Sequence, residues 1–185
     1  MILPIVAYGD PLLKRESEDI TKDYPALDQL IKDMYETMYH AKGVGLAAPQ
    51  IGVPLRVFVW DVDEALGHLI NPVLDLSEEM QDGEEGCLSF PELRYETPRA
   101  MRAVAKGFNM YGEPVVVEGT EFLARALQHE TDHLNGILFI DKLSAENRKL
   151  AMKEIRESEW FNLASENGQT IQVKDSPHTI FGRNT

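Results

Sequence analysis

The sequence has little cysteine, few basic residues and no long apolar segment. Cys87 is the single cysteine in 185 residues, which excludes a framework of intrachain disulfides. The chain carries 18 Lys and Arg against 31 Asp and Glu, a formal net charge of −13, so direct binding of duplex nucleic acid is not expected. No apolar run approaches the roughly 18 residues that a transmembrane helix needs, and no membrane association is expected.

The length and the two ends of the sequence favour a single cytoplasmic domain. The first ten residues, MILPIVAYGD, contain no basic segment followed by an apolar one and so do not form a secretory signal. A chain of 185 residues suits one domain, 1–185, because domains commonly run to about 100–200 residues. Residues from about 165 to 185 are polar, and we expect a tail that is loosely ordered or adds an edge strand.

The hydrophobic patterns predict a helix, then several strands, then two more helices. Apolar residues at helical spacing predict the helices, and β-branched or alternating stretches predict the strands. The predicted helices cover 25–41, 121–134 and 144–160, and the predicted strands cover 56–62, 68–76, 100–110 and 115–119. Clustered strands with segregated helices indicate an α+β fold, with antiparallel or mixed sheets around a central buried helix.

The stretch QHETDHLNG, at 128–136, carries a pattern that can bind a metal ion. His129 and His133 are four residues apart and therefore lie one turn apart on the same face of a helix. The helix is apolar on most sides, so these side chains and Glu130 are expected to be buried, at a cost in desolvation. One metal ion would satisfy all three groups. A hydrogen-bonded pair of core histidines is the other interpretation of this pattern.

A metal site of this kind needs a third protein ligand. Phe139 stands where one class of zinc proteases has its third histidine, and phenylalanine cannot bind a metal ion. Glu154 and Glu157 lie where another class has a glutamate, but they belong to a charged segment typical of a solvated helix face. A zinc endopeptidase that uses Glu154 as its third ligand is nevertheless kept as an alternative.

Cys87, in the segment EEGCLSF, is the remaining candidate. A lone cysteine is most often a small core residue, but Gly86 beside it permits the close approach of a ligand. Cys87 could instead be a nucleophile with His129 as its base, although that leaves Glu130 without a role. A non-enzymatic module with a structural metal is a further alternative, and it would need a fourth protein ligand. The candidates are Asp132, which points off the histidine face, and His40 and His68, which are distant in the sequence.

Three segments taken together resemble the peptide deformylase family. They are GVGLAAPQIG at 43–52, EGCLS at 85–89 and QHETDHLNG at 128–136, and LINP at 69–72 also fits. The resemblance extends from the first helix to about Leu143. It implies that Cys87, His129 and His133 are the three protein ligands of a metal ion, with water or substrate in the fourth position.

The resemblance also implies a reaction and a role for each catalytic group. The reaction is removal of the N-formyl group from the N-terminal formyl-methionine of nascent polypeptides, with release of formate. Metal-bound water would attack the formyl carbonyl, and Glu130 would act as general acid and base. The side-chain amide of Gln50 and the backbone N–H of Leu88 would stabilise the oxyanion.

The resemblance further implies where the peptide binds. An extended peptide would pair with segments beside the cleft, at Gly43, Val44, Gly45 and Gly86. Val44, Phe122 and Ala126 are expected to line an apolar pocket for the methionine side chain. Arg125 falls where related enzymes often have an apolar residue, and we expect it at the rim of that pocket.

The expected cofactor is one divalent metal ion. The resemblance implies iron(II) in vivo, and mixed Cys and His ligation also suits zinc(II), nickel(II) or cobalt(II). Nascent formyl-methionine peptides are the expected partners, with transient ribosome contact. The last predicted helix carries some positive charge, diluted by glutamates, at Lys142, Arg148, Lys149, Lys153 and Arg156.

Overall fold

The computed structural model describes residues 1–21, 23–166 and 170–171. The helices of these residues are α1 Leu27–His40, α2 Glu121–Leu134, α3 Ala145–Glu157 and α4 Glu159–Glu166. The strands are β1 Ile5–Val6, β2 Gly45–Ala47, β3 Val57–Val62, β4 Ala65–Leu76, β5 Met80–Gln81, β6 Glu84–Cys87, β7 Phe90–Glu96, β8 Arg99–Ala100, β9 Arg102–Phe108, β10 Pro114–Thr120 and β11 Thr170–Ile171. Short 3₁₀ turns occur at Pro11–Lys14, Ala48–Ile51 and Phe139–Lys142.

A five-stranded antiparallel sheet lies between α1 and α2. Its strand order is β10-β9-β4-β3-β2. In the central strand β3, alternate side chains enter two different cores: Val57 and Val59 pack with Met34 and Met38 of α1, and Phe58 packs with residues of α2. Burial on both faces explains the unbroken apolar run VFVW in this strand. The expected α+β fold is confirmed.

A separate hairpin, β6–β7, carries Cys87. The two strands are antiparallel and are joined by a two-residue turn at Leu88 and Ser89, with Cys87 opposite Phe90. Phe90 packs with Phe139 and with α3 in a third core cluster. The hairpin therefore holds Cys87 between the main sheet and the last long helix.

The structure refines several predicted element boundaries. The predicted strand 100–110 is two strands, β8 and β9, which are separated at Met101. The predicted helix 144–160 begins as expected, because Ser144 accepts a hydrogen bond from the Asn147 N–H, but it ends at Ser158 and α4 follows. The interruption expected at Asn71–Pro72 is a register shift within one continuous strand, β4.

Part of the predicted tail lies within the described residues, and the described helices can be compared with the length that a membrane span needs. Residues 170–171 form β11 and pair with β1, so this part of the predicted tail adds an edge strand. Residues 167–169 and 172–185 lie outside the described residues. Among the described residues, no helix is both long enough and apolar enough to cross a membrane.

Candidate metal centre

Helix α2 brings His129, Glu130 and His133 into the interior of the protein. The helix packs against the sheet through Ala124, Leu127 and Leu134, and its next face carries the two histidines. His129, Glu130 and His133 are all buried, as the sequence predicted. A helix that is buried on most sides in this way allows polar groups at its centre only if they have partners.

The side chains of Cys87, His129 and His133 converge on one point. The Sγ of Cys87 lies 3.3 Å from Nε2 of His133, and that Nε2 lies 3.2 Å from Nε2 of His129. All three donor atoms lie within 4.8 Å of one another, and all three residues are buried. The β6–β7 hairpin and α2, which are 42 residues apart at Cys87 and His129, therefore supply one potential ligand set.

These residues fit a divalent metal ion. Metal–nitrogen bonds of about 2.0 Å and metal–sulfur bonds of about 2.3 Å in a tetrahedral site place donor atoms roughly 3.3–3.6 Å apart. The observed separations of 3.2 and 3.3 Å are close to this range. Burial lowers the pKa of His133 well below its ordinary value, which favours the neutral imidazole that a metal requires.

The orientation of His129 is set by Glu85. The Nδ1 of His129 lies 2.6 Å from Oε2 of Glu85, so Nδ1 carries the proton and the unprotonated Nε2 can bind a metal. Burial would raise the pKa of Glu85, but the charge of Arg99 and the contact with His129 hold it well below its ordinary value. Glu85 is therefore an anion that accepts hydrogen bonds from several directions.

Two buried arginines surround Glu85. Arg99 donates from Nε and Nη2 to the two carboxylate oxygens, at 2.9 and 2.6 Å, and from Nη1 to Asp132 at 2.6 Å. Arg125 donates to Glu85 at 3.0 Å. Arg125 was expected at the rim of a pocket, and that expectation is wrong, because its guanidinium is buried and bonded to Glu85 and to the carbonyl of Thr97.

Two residues of this site, Glu85 and Arg99, were not predicted from the sequence. Glu85 precedes Cys87 by two residues, and in a strand this spacing puts both side chains on the same face, so the pattern could have identified it. Arg99 offers no such local signal. It reaches Glu85 through the folding of β6, β7 and β8.

The carboxylate of Glu130 is buried beside the potential ligands. Its Oε1 lies 3.8 Å from Nε2 of His129, and its Oε2 has no hydrogen-bond partner among the described residues. Burial raises the pKa of Glu130 well above its ordinary value, the charge of Glu85 adds to this effect, and Arg99 offsets part of it. A buried carboxyl group with a raised pKa is a candidate for general acid and base catalysis.

The side-chain amide of Gln50 points toward the same centre. Its Oε1 accepts a hydrogen bond from the Ala47 N–H at 3.0 Å, and its Nε2 therefore faces Sγ of Cys87 at 3.5 Å and Oγ of Ser89 at 3.2 Å. Leu88 begins the turn that directly follows Cys87. Both groups predicted to stabilise an oxyanion thus lie beside Cys87.

The predicted substrate-binding glycines make close contacts with the site. A Cβ on Gly45 would lie 2.9 Å from Oε1 of Glu130, and a Cβ on Gly43 would lie 2.7 Å from a methyl carbon of Leu88. Gly86 is buried within β6. Among the described strands, β2, which begins at Gly45, ends the five-stranded sheet and so has an edge that an extended peptide could join.

The residues expected to line a methionine pocket pack together. Val44 and Ala126 form a small buried cluster with Val62, and Phe122 packs against it while remaining partly exposed. Phe122 and Ala126 lie on α2, in the two turns that precede His129. It provides an apolar surface next to the potential metal ligands.

The other ligand candidates lie elsewhere. Glu154 is exposed on α3 and accepts a hydrogen bond from the hydroxyl of Tyr95, so it is not part of the ligand set. Asp132 is paired with Arg99, and His68 accepts a hydrogen bond from the Met110 N–H. Within the described residues, Cys87, His129 and His133 are the group that could hold a metal ion.

The chain is similar to the proteins of one family. The sequence model of the polypeptide deformylase family matches residues 2–149. Peptide deformylase from Acidothermus cellulolyticus is 60% identical over 182 residues, which cover 98% of each chain. Peptide deformylase from Parafrankia sp. is 52% identical and covers 95% of this chain and 94% of its own.

Solved structures show the same likeness. The crystal structure of peptide deformylase from Thermotoga maritima has a TM-score of 0.75 and 45% identity, covering 78% of this chain and 99% of that chain. Peptide deformylase from Ehrlichia chaffeensis in complex with actinonin has a TM-score of 0.79 and 36% identity, covering 85% and 98%.

These matches show the class of the protein, a hydrolase with an α+β fold, and the structure adds a potential metal site of Cys and His residues. The chain belongs to the peptide deformylase family, and the resemblance of its three motifs is thereby confirmed. As a member it acts on peptides that begin with N-formylmethionine.

Proposed function

We propose that this protein removes the N-formyl group of nascent chains with one divalent metal ion held by Cys87, His129 and His133. The observation that supports it most strongly is the convergence of these three buried donor atoms beside the carboxylate of Glu130, whose Oε2 has no hydrogen-bond partner among the described residues. When bound, the ion supplies Lewis acidity, which polarises a carbonyl oxygen and makes water a better acid at neutral pH. Iron(II) is the proposed ion in vivo, and zinc(II), nickel(II) and cobalt(II) suit the same ligands.

Glu130 is the proposed general acid and base. Its raised pKa suits a group that takes a proton from the attacking water and gives it to the departing amine. Gly45 leaves the space that the carboxylate needs, because any Cβ there would contact Oε1. The role of Glu130 is therefore to carry one proton from water to nitrogen within an enclosed site.

Gln50 and Leu88 are the proposed donors to the oxyanion. The hydrogen bond from Ala47 fixes the carbonyl end of the Gln50 amide, so that Nε2 is presented toward the site. Donors that are fixed before the reaction begins stabilise charge without reorganisation in the transition state. The Leu88 N–H belongs to the tight turn after Cys87, which limits its movement in the same way.

The formyl peptide is proposed to lie along β2. An added strand would pair with the backbone of Gly43, Val44 and Gly45 on one side and approach Gly86 on the other. The methionine side chain would then meet the apolar cluster of Val44, Phe122 and Ala126. Transient contact with the ribosome would supply such peptides as they emerge.

Metal content in two variants tests the ligand set. Wild type, Cys87→Ala and Glu154→Ala are purified without oxygen, and their metal is counted by elemental analysis. We expect about one ion per chain in wild type and Glu154→Ala and little in Cys87→Ala, since Glu154 is exposed on α3. Metal loss in Glu154→Ala alone would favour an endopeptidase site instead.

Formate release tests the activity itself. Wild-type protein is given a formyl-methionine peptide, and formate is measured before and after a chelator is added. We expect formate release that the chelator abolishes and that iron(II) restores. A protein that holds its metal but releases no formate, even after reconstitution with iron(II), would contradict the proposal.

A further inference from the structure

Arg125 contacts two separate parts of the structure around the candidate metal centre. Its Nη1 donates to Oε1 of Glu85 at 3.0 Å and to the carbonyl oxygen of Thr97 at 2.7 Å. The residue is 3% exposed, and its Nη2 has no hydrogen-bond partner among the described residues. Burying a long cationic side chain in this way costs desolvation energy, which its contacts with Glu85 and Thr97 offset.

Those contacts join α2 to both strands of the hairpin that carries Cys87. Glu85 belongs to β6, and Thr97 directly follows β7. The Thr97 N–H in turn donates to the carbonyl of Gly83 at 2.8 Å, just before β6. Arg125 lies one helical turn before His129, so one guanidinium links the base of the hairpin to the helix that carries the histidines.

Arg99 alone would hold the Glu85 carboxylate less firmly than Arg99 and Arg125 hold it together. Each oxygen of Glu85 accepts two hydrogen bonds: Oε2 from Arg99 and His129, and Oε1 from Arg99 and Arg125. Arg99 is also bonded to Asp132, nearer the end of α2. Without Arg125, Oε1 would lose one of its two donors, and Arg99 would be the remaining donor to that oxygen of the carboxylate that orients His129.

We propose that Arg125 is a positioning residue of the metal centre, which acts through Glu85 on His129 and through Thr97 on the Cys87 hairpin. The inference rests on the proposed metal ligation by Cys87, His129 and His133. Arg125 does not touch the potential ligand atoms itself. Its function is to bring the ligands from two elements to the same point before the ion arrives, since groups that orient metal ligands from behind strengthen metal binding.

The matched variants are Arg125→Leu, Arg125→Lys and a control, Arg94→Leu. Arg94 lies on β7 of the same hairpin, and its Nε is 3.8 Å from a carboxylate oxygen of Glu84, outside the cluster around Glu85. Arg125→Leu removes both contacts, whereas Arg125→Lys keeps a charge but has no planar fork with which to reach two acceptors. The control removes an arginine from the hairpin and leaves Glu85 untouched.

Two measurements distinguish positioning from general stability. The first is the affinity for Zn²⁺, measured by competition with a chromophoric chelator. We expect it to fall roughly 10- to 100-fold in Arg125→Leu, less in Arg125→Lys and not at all in Arg94→Leu. The second is the exchange rate with solvent of the His129 Nδ1 proton in the Zn²⁺-loaded protein, followed by NMR, which should rise about tenfold or more in Arg125→Leu alone.

Each possible result either supports the positioning role of Arg125 or overturns it. The inference would be overturned if Arg125→Leu had the same Zn²⁺ affinity and the same proton exchange rate as Arg94→Leu. If Arg125→Leu does not fold, Arg125→Lys is compared with the same control. Wild-type protein that binds no Zn²⁺ would refute the proposed metal site instead. In that event the His129 proton is followed in the metal-free chain, where unchanged exchange would overturn the positioning role separately.

Discussion

Replacing Gly45 by alanine should disable Glu130 without unfolding the protein. The new Cβ would lie 2.9 Å from Oε1, 3.1 Å from Cδ and 3.2 Å from Cγ of Glu130, whereas ordinary contact begins near 3.4 Å. The carboxylate must therefore move by about 0.5 Å or rotate away from the site. The backbone at Gly45 is in a region that alanine adopts readily, because no positive φ is recorded there.

The size of the effect follows from what Glu130 does. Misplacement of a reacting group by about 1 Å can cost on the order of 100-fold in rate. General acid–base catalysis contributes about 10²- to 10⁴-fold in all. We expect kcat for formate release to fall by roughly 10- to 100-fold, with about one metal ion per chain still bound.

Gly119→Ala is the control for crowding against the same helix. A Cβ on Gly119 would lie 2.6 Å from Cγ of Leu123, which is on α2 two helical turns before Glu130. Crowding of this kind costs about 1–3 kcal/mol in the free energy of unfolding. Gly119→Ala should therefore lose stability and keep its kcat. If Gly45→Ala kept the wild-type kcat, the assignment of Glu130 as the proton carrier would be refuted.

Three further changes have defined outcomes. Arg99→Met should lower the free energy of unfolding in urea by about 3–5 kcal/mol, because it leaves the buried carboxylate of Glu85 undercompensated, and a loss under about 1 kcal/mol would contradict this. Gln50→Leu should reduce kcat by about 10²- to 10³-fold with its metal retained, and an unchanged kcat would remove Gln50 from the proposed oxyanion site. Burial would raise the pKa of Asp141, but hydrogen bonds and nearby cations lower it below 3.8. Its folded pKa is thus below its unfolded pKa, so it contributes stability above about pH 4 that is lost as the pH falls through the folded value. The stability difference between wild type and Asp141→Asn should therefore shrink on acidification, and a difference that grew would contradict the assignment.

Local spacing predicted the part of the site that lies on α2. His129, Glu130 and His133 follow from helical periodicity and from an apolar helix that could not bury them without a partner. Their burial and mutual contact required no information from elsewhere in the chain. The helix bounds Glu121–Leu134 also agree with the prediction, since Asn135-Gly136 ends the apolar pattern.

The remainder of the site depends on long-range folding that spacing does not encode. Cys87 reaches the histidines because β6 and β7 pair, and the segment EEGCLSFPELRYE does not alternate clearly enough to predict two strands. The sequence indicated Cys87 as the remaining ligand candidate and through its likeness to a family, not through geometry. Arg125 was misjudged for the same reason, because its partners Glu85 and Thr97 come from other elements.

The most direct test of the central claim is Glu130→Gln, compared with wild type under anaerobic conditions. Gln has nearly the size of Glu, so the buried site beside Gly45 should keep its shape while losing the group that carries the proton. Metal per chain and formate release from a formyl-methionine peptide are measured on the same samples. The account predicts about one ion per chain in both proteins and a loss of formate release of about 10²- to 10⁴-fold in the variant. Formate release near the wild-type rate, or a wild-type protein that binds no metal, would contradict it.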